Sequence, residues 1–392
     1  MIMKNLKNSY PVIIVGGGPV GLFLGCCLHR ADVPFMIFEK RTERISHSRS
    51  LGIHPVSLEL FDSLGFVEHF LDAGIKIRRG LAYSENGEIG AVSFEHCPKP
   101  YNYILSLPQH KTEEILEKHL LNLNPDALLR GAEVTKIRQQ TESVSLELSH
   151  SGQVHNFTCR CLVGCDGKES VVRKQAGIPF KGSSYPDTYI MGDFNDNTNF
   201  GNDAAVFLCN DGLIESFPLT GNRRRWVVKT ANYYESVQRR DIEALVASRI
   251  GHDLGEEENF MLSSFGVQKL MAKPMAGGRV ALAGDAAHVV SPIGGQGMNL
   301  GWLDAQDLAS TLTRTLKKNK TESLPKELEE YSNRTFRVTK KVIKRAELNM
   351  KLGRKVKIPQ LRNALVWVML KTPLQRLMAK LFTMRYLERG SN

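Results

Sequence analysis

The chain of 392 residues lacks a long apolar run; the longest stretch near its C-terminus, Ala364 to Leu370, is far too short to span a bilayer. It also lacks a C-x-x-C pair. The cysteines are Cys26, Cys27, Cys97, Cys159, Cys161, Cys165 and Cys209, and no histidine spacing nearby completes a zinc site. That pattern reads as reduced, buried thiols in a cytoplasmic protein. The first ten residues hold lysines but neither an apolar h-region nor a cleavage site, so no signal peptide is expected. Internal repeats, low-complexity segments, paired catalytic carboxylates and an activated serine are missing too. Hydrolytic and metal-centred chemistry therefore has no foothold here.

What is present is ordinary in bulk: 42% hydrophobic and 24% charged residues, in a chain long enough for two or three domain-sized units. The net charge of +11 is unevenly spread, because Arg314 to Asn392 carries 21 Lys+Arg against 6 Asp+Glu. Basicity is thus a property of the C-terminal part. It reads as a solvated helical face, with no nucleic-acid partner expected and membrane contact as the alternative. Leu374, Leu377, Met378, Leu381 and Phe382 form a helical stripe there, which is expected to pack on its own domain.

Periodicity organises the rest. Val12 to Val15 is a β-branched strand, Val20 to Arg30 a helix and Phe35 to Glu39 a second strand, which makes a βαβ unit with a parallel sheet. Short alternating runs from Ile75 to Tyr103, with a turn at Asn86-Gly87, read as hairpins. Further strands are expected at Tyr189 to Phe194, Ala204 to Leu208, Leu213 to Pro218 and Arg225 to Lys229, with a helix near Asp241 to Gly251. Val280 to Gly284 then returns to the first sheet. The expected fold is α/β, with a Rossmann-like domain from residues 1–74, 102–180 and 270–310. An antiparallel-sheet domain is inserted as residues 75–101 and 181–269, and 311–392 forms a helical C-terminal region.

Three motifs carry chemistry. Gly16-Gly17-Gly18-Pro19-Val20-Gly21 matches G-x-G-x-x-G at a strand-to-helix turn, where bare backbone and free N–H groups receive a pyrophosphate. Glu39 ends the second strand 18 residues after Gly21, placed to accept ribose hydroxyls, with Lys40 beside it. Cys165-Asp166-Gly167 puts a carboxylate at the end of a strand, before a helix-like run bearing Arg173. Gly284-Asp285 does the same, and Pro292-Ile293-Gly294-Gly295-Gln296-Gly297-Met298-Asn299 leads into another helix. His288 follows Asp285 closely and is expected to serve the local fold rather than to act as a base.

These motifs, in this order, resemble the class A flavoprotein monooxygenases, the aromatic-hydroxylase family typified by p-hydroxybenzoate hydroxylase. The resemblance covers roughly residues 10 to 310. It implies FAD as cofactor, with Glu39 at the adenosine ribose, Arg49 at the flavin side and Gln109 near the ribityl chain. Asp166 would help shape the cofactor and nicotinamide sites, and Asp285 would bind ribityl hydroxyls. Pro292, Gly295, Gln296, Gly297, Met298 and Asn299 would line the isoalloxazine. Backbone N–H groups at a helix start there would stabilise negative charge on the reduced ring.

The resemblance further implies that NADH or NADPH reduces the flavin, O2 adds at C4a and one oxygen passes to an aromatic or phenolic substrate. Met191, Phe207, Phe217 and Pro218 are the candidate substrate wall. Simple phenols, quinolones, polycyclic polyketides and antibiotics such as tetracyclines are the substrate classes that the resemblance leaves open. A flavin halogenase is excluded, since its W-x-W-x-I-P motif cannot be built from Trp226, Trp302 and Trp367. A reductase of prenyl double bonds and a membrane-attached flavoprotein module are the rival readings. The stretch from Phe265 to Pro274 departs from the family by lacking its frequent arginine.

Overall fold

The computed structural model describes residues 7–45, 50–256, 260–318 and 321–387. A strand that is apolar on both faces is stable only when both are covered, and Ser9–Val15 lies in the middle of its sheet. It pairs in parallel with Gln153–Gly164 on one side and Phe35–Glu39 on the other. Val280–Leu282 and Leu128–Arg130 continue the parallel order outward. The hairpin of Ala132–Gln139 and Val144–His150 pairs antiparallel onto Gln153–Gly164. Helix Pro19–Arg30 starts with proline, whose missing N–H costs nothing at that position. It buries Leu22, Phe23, Leu24 and Leu28 and packs against helix Gln296–Lys317. The Trp302 indole N–H pins the two together by donating to the Pro19 carbonyl at 3.0 Å.

The second sheet runs His288–Val289, Met261–Ala272, Phe180–Asn195, Arg223–Thr230, Gly212–Leu219, Ala204–Cys209, Arg79–Ser84, Gly87–Ser93. All its pairings are antiparallel except Ala204–Cys209 with Arg79–Ser84. One face packs Ile190, Phe194, Phe207 and Trp226 under helix Arg239–Ile250. The other face looks toward the first sheet. A small sheet of Gly52–Ile53, Ile104–Ser106 and Ile75–Ile77 sits beside the two.

Helix Leu324–Gly353 has 30 residues, so it is about 45 Å long. Helices Pro359–Lys371 and Leu374–Phe382 follow it. The expected apolar stripe divides here. Met378 and Ala379 are buried, whereas Leu374 is 46% and Leu377 53% exposed. At about 100° per residue, the inward face set by Met378, Ala379 and Phe382 leaves Leu377 pointing away. No helix among the described residues is long and apolar enough to cross a membrane. All seven cysteines are free thiols.

Candidate active site

The glycine turn is built by close approach. A Cβ at Gly21 would lie 2.0 Å from the Gly16 carbonyl oxygen, so helix and strand could not meet with any other residue there. At Gly18 the opposite holds: nothing lies within 4 Å of where a Cβ would be, and the residue faces open cavity. No side chain caps helix Pro19–Arg30, which leaves first-turn N–H groups free for an anion. Glu39 is buried at the cavity wall. One carboxylate oxygen accepts the Gly17 N–H at 2.6 Å and the other the Arg41 N–H at 2.9 Å. Lys40 is exposed at the cavity edge.

The carboxylates of the two Asp motifs also reach the cavity. Asp166 accepts the Val172 N–H at 3.1 Å through Oδ2, while its buried Oδ1 has no partner among the described residues. Burial raises its pKa, against hydrogen bonds from Ser170 and Val172. Asp285 sits in the short 3-10 turn Gly284–Ala286. Its side chain is open to the cavity, yet enough protein surrounds it that desolvation raises its pKa, opposed by His288 and Lys168. Gln109 lies at the start of helix Gln109–Leu123 and donates to Glu113 at 2.8 Å.

Gly294 and Gly295, at φ of 90° and 64°, bend the chain through the left-handed region into helix Gln296–Lys317. Pro292, Gly295, Gly297 and Met298 line the cavity. Asn299 does not. It is fully buried behind the loop, where its amide donates to the carbonyls of Gly52 and Gly295, both at 2.8 Å. Its Oδ1 accepts the His54 N–H and the Ser57 hydroxyl, again at 2.8 Å. Gln296 is likewise buried away from the cavity, its Oε1 without a partner among the described residues. Arg49 lies outside the described residues.

The cavity measures about 800 Å³, large for a small-molecule site. Its walls come from the glycine turn, the Asp166 and Asp285 turns, the inner face of the antiparallel sheet and the C-terminal helices. Of the expected substrate wall, Met191 and Phe217 line it and two residues do not. Phe207 belongs to the far face, stacked on Tyr83 at 5.1 Å between ring centroids. Side chains alternate along a strand, so Phe207 turns away where Val206 and Leu208 turn in. Pro218 alternates with Phe217 in the same way, and its carbonyl is taken by the Ser106 hydroxyl at 2.6 Å.

Glu113, His54 and Glu215 are among the lining residues that the motifs did not single out. Glu113 follows Gln109 by one helical turn, a spacing that was visible. His54 is bonded through Nε2 to the Gly294 carbonyl at 3.2 Å, and burial pushes its pKa down to about 4, against the raising effect of that bond. It is therefore a neutral imidazole supporting the loop. Glu215 is a lone acid in the apolar strand Gly212–Leu219, and that contrast was its signal.

Residues 9–346 match the family described as "FAD binding domain". An uncharacterized aromatic compound monooxygenase of Bacillus subtilis is 33% identical over 319 residues, 80% of this chain and 63% of the relative. The 12-dehydrotetracycline 5-monooxygenase/anhydrotetracycline 6-monooxygenase of Streptomyces rimosus is 32% identical over 321 residues, 78% of this chain and 63% of its own. The chain thus spans about 63% of the length of these curated relatives. The solved anhydrotetracycline hydroxylase of Streptomyces rimosus superposes with a TM-score of 0.81 at 29% identity, covering 96% of this chain and 76% of that one. The fold and the glycine turn define a flavin-binding protein. The chain belongs to the class A FAD-dependent monooxygenase family.

Proposed function

We propose that this protein is a monooxygenase that uses FAD, NADH or NADPH, and O2 to hydroxylate an aromatic or phenolic small molecule in the cytoplasm. One observation carries the reading. A single cavity has the glycine turn, Glu39 and Asp285 at one end and the apolar inner face of the antiparallel sheet at the other. An extended polar cofactor and an apolar substrate would meet in it. The seven free thiols fit the reducing compartment.

The residues fit FAD on structural grounds: open space at Gly18, an unpartnered Asp166 oxygen, and an Asp285 carboxylate that needs donors. When bound, FAD would supply the redox chemistry with nicotinamide and O2. The chain's own work is binding and orientation. Free N–H groups after Gly18 would hold the pyrophosphate, and Glu39 the adenosine ribose beside Lys40. Asp285 and Gln109 would accept and donate along the ribityl chain, with Arg49 on the flavin side and Asp166 helping to shape the cofactor and nicotinamide sites. N–H groups at Gly297 and Met298 would sit under the ring and favour negative charge on it. Residues 1–74, 102–180 and 270–310 would serve the cofactor, and residues 75–101 and 181–269 the substrate. Met378 and Phe382, from residues 311–392, would help keep water out.

The tetracycline-directed relatives support a polycyclic phenol as substrate. The test is to purify the protein, record its flavin spectrum, and follow NAD(P)H oxidation and O2 uptake against phenols, quinolones and tetracyclines. Coupled O2 consumption with one class is expected. A colourless protein that FAD cannot reconstitute, or turnover that consumes no O2, would sink the reading.

A further inference from the structure

Strand register lines up one row of side chains across the inner face of the antiparallel sheet. Met191 pairs with Val227, Val227 with Glu215, Glu215 with Val206, and Val206 with Ala82. Residues paired in register point to the same face, and all five line the cavity. Four are apolar, and Glu215 is the ionisable group in their midst. On its own strand Leu213 and Phe217 flank it, also facing the cavity. The C-terminal helices opposite contribute Asn349, Leu352, Val366, Met369, Leu370 and Met378, none of them charged.

Glu215 is 9% exposed, and among the described residues its carboxylate has no hydrogen-bond or ion-pair partner. The charges around it are committed elsewhere. On the neighbouring strands, Arg225 grips Asp193 through two bonds of 2.6 and 2.8 Å, and Lys229 holds Asp187 together with Arg354, which follows helix Leu324–Gly353. Tyr189 is the other titratable group close to it, a phenol whose own pKa is raised by burial and by the Glu215 charge. An acid buried without a partner is costly, so this one is set to meet something that enters the cavity. Burial alone pushes its pKa up to about 7, where a carboxyl accepts and returns protons near neutral pH.

We propose that Glu215 is the polar anchor of the substrate site, accepting first the hydrogen bond and then the proton of a phenolic hydroxyl. This deepens the hydroxylase reading and rests on it for the use made of the proton. An ammonium group carries three donors, of which the two carboxylate oxygens can take two, leaving the third against Met191, Val206 and Val227, whereas a phenol's single donor is met in full. In the transfer the O–H bond breaks, the proton joins the carboxylate, and the electron pair stays on the phenolic oxygen. No oxidant is involved. The electron-rich ring that results is the form best suited to receive an oxygen atom.

The experiment compares three ligands of one apolar body on the flavin-loaded protein: 2-naphthol, 2-methoxynaphthalene and (naphthalen-1-ylmethyl)ammonium. Binding is read from the perturbation of the flavin absorbance, so it does not depend on turnover. At about pH 8.5, well above the carboxyl's titration, naphthol should bind at least about tenfold tighter than its methyl ether. That preference should fall as pH drops through about 7. E215Q should keep a weak preference without the pH dependence, and E215L should abolish it, both at full flavin content. The anchor is overturned if E215L or E215Q keeps the wild-type preference and pH profile. It is also overturned if the ammonium ligand outcompetes naphthol, or if flavin-loaded wild type has no affinity for naphthol. A Glu215-dependent naphthol preference in a protein that never consumes O2 with any substrate would leave the anchor standing and reject the hydroxylase reading instead.

Discussion

Asp304 serves two partners at once, accepting the Gly284 N–H at 3.1 Å and the His288 Nε2–H at 2.5 Å. Burial by itself would lower the His288 pKa, but the Asp304 carboxylate outweighs it and the shift is upward. A histidine whose folded pKa exceeds its unfolded value stabilises fully below the unfolded pKa, and that contribution is lost as pH rises through the folded pKa. Replacing His288 by Gln should therefore cost most stability near about pH 5.5, with the difference from wild type narrowing as pH climbs. Urea melts across pH check this; a constant difference would show that folding leaves the His288 pKa unshifted, and one that widens as pH climbs would show a neutral buried imidazole. A second buried charge gives a larger effect. Arg224 is fully buried, donating to Asp196 at 3.0 Å and to the Asp203 and Gly201 carbonyls. Asp196→Ala strips its countercharge and should cost about 3 kcal/mol, the penalty of an uncompensated buried ion. Urea unfolding midpoints measure it.

At the scale of elements, the loop from Pro292 to Gly295 takes its shape from Asn299 behind it. Asn299→Ala would leave the His54 N–H and the Gly52 and Gly295 carbonyls without their partner. The expected result is a loss of at least about 2 kcal/mol and weaker FAD retention, read by urea titration and by release of flavin fluorescence. The sequence marked this segment correctly as a glycine-rich entry to a helix, but its linear order could not say which residues face the cavity and which brace it from behind. That needs Gly52, His54 and Ser57, which are distant in the chain. The strands tell the same story. A continuous apolar run such as Val12 to Val15 announces a buried strand, and the turn residues around it announce the parallel unit. In Ala204–Cys209 every residue is apolar or small, so alternation could not separate Val206 from Phe207. Only pairing with Glu215 and Ala82 assigns the faces.

The whole molecule is organised around one cavity that draws on both sheets, the glycine loops and the C-terminal helices. Anything that fills it stabilises every element at its wall together, because a ligand bound only to the folded state shifts the unfolding equilibrium by mass action. With FAD at about one hundred times its dissociation constant, the gain should be about 2.7 kcal/mol. Gly18→Ala separates binding from folding. The added methyl group meets no atom within 4 Å and the backbone there is at an ordinary φ of −81°, so the flavin-free protein should unfold as wild type does. The same methyl group would stand in the space where the pyrophosphate must approach bare backbone. Flavin-free melts that coincide, with an FAD-induced gain that shrinks in Gly18→Ala, are the expected result. An undiminished gain would place the pyrophosphate elsewhere. A variant that is already less stable without FAD would mean that the glycine serves the turn itself and not the ligand.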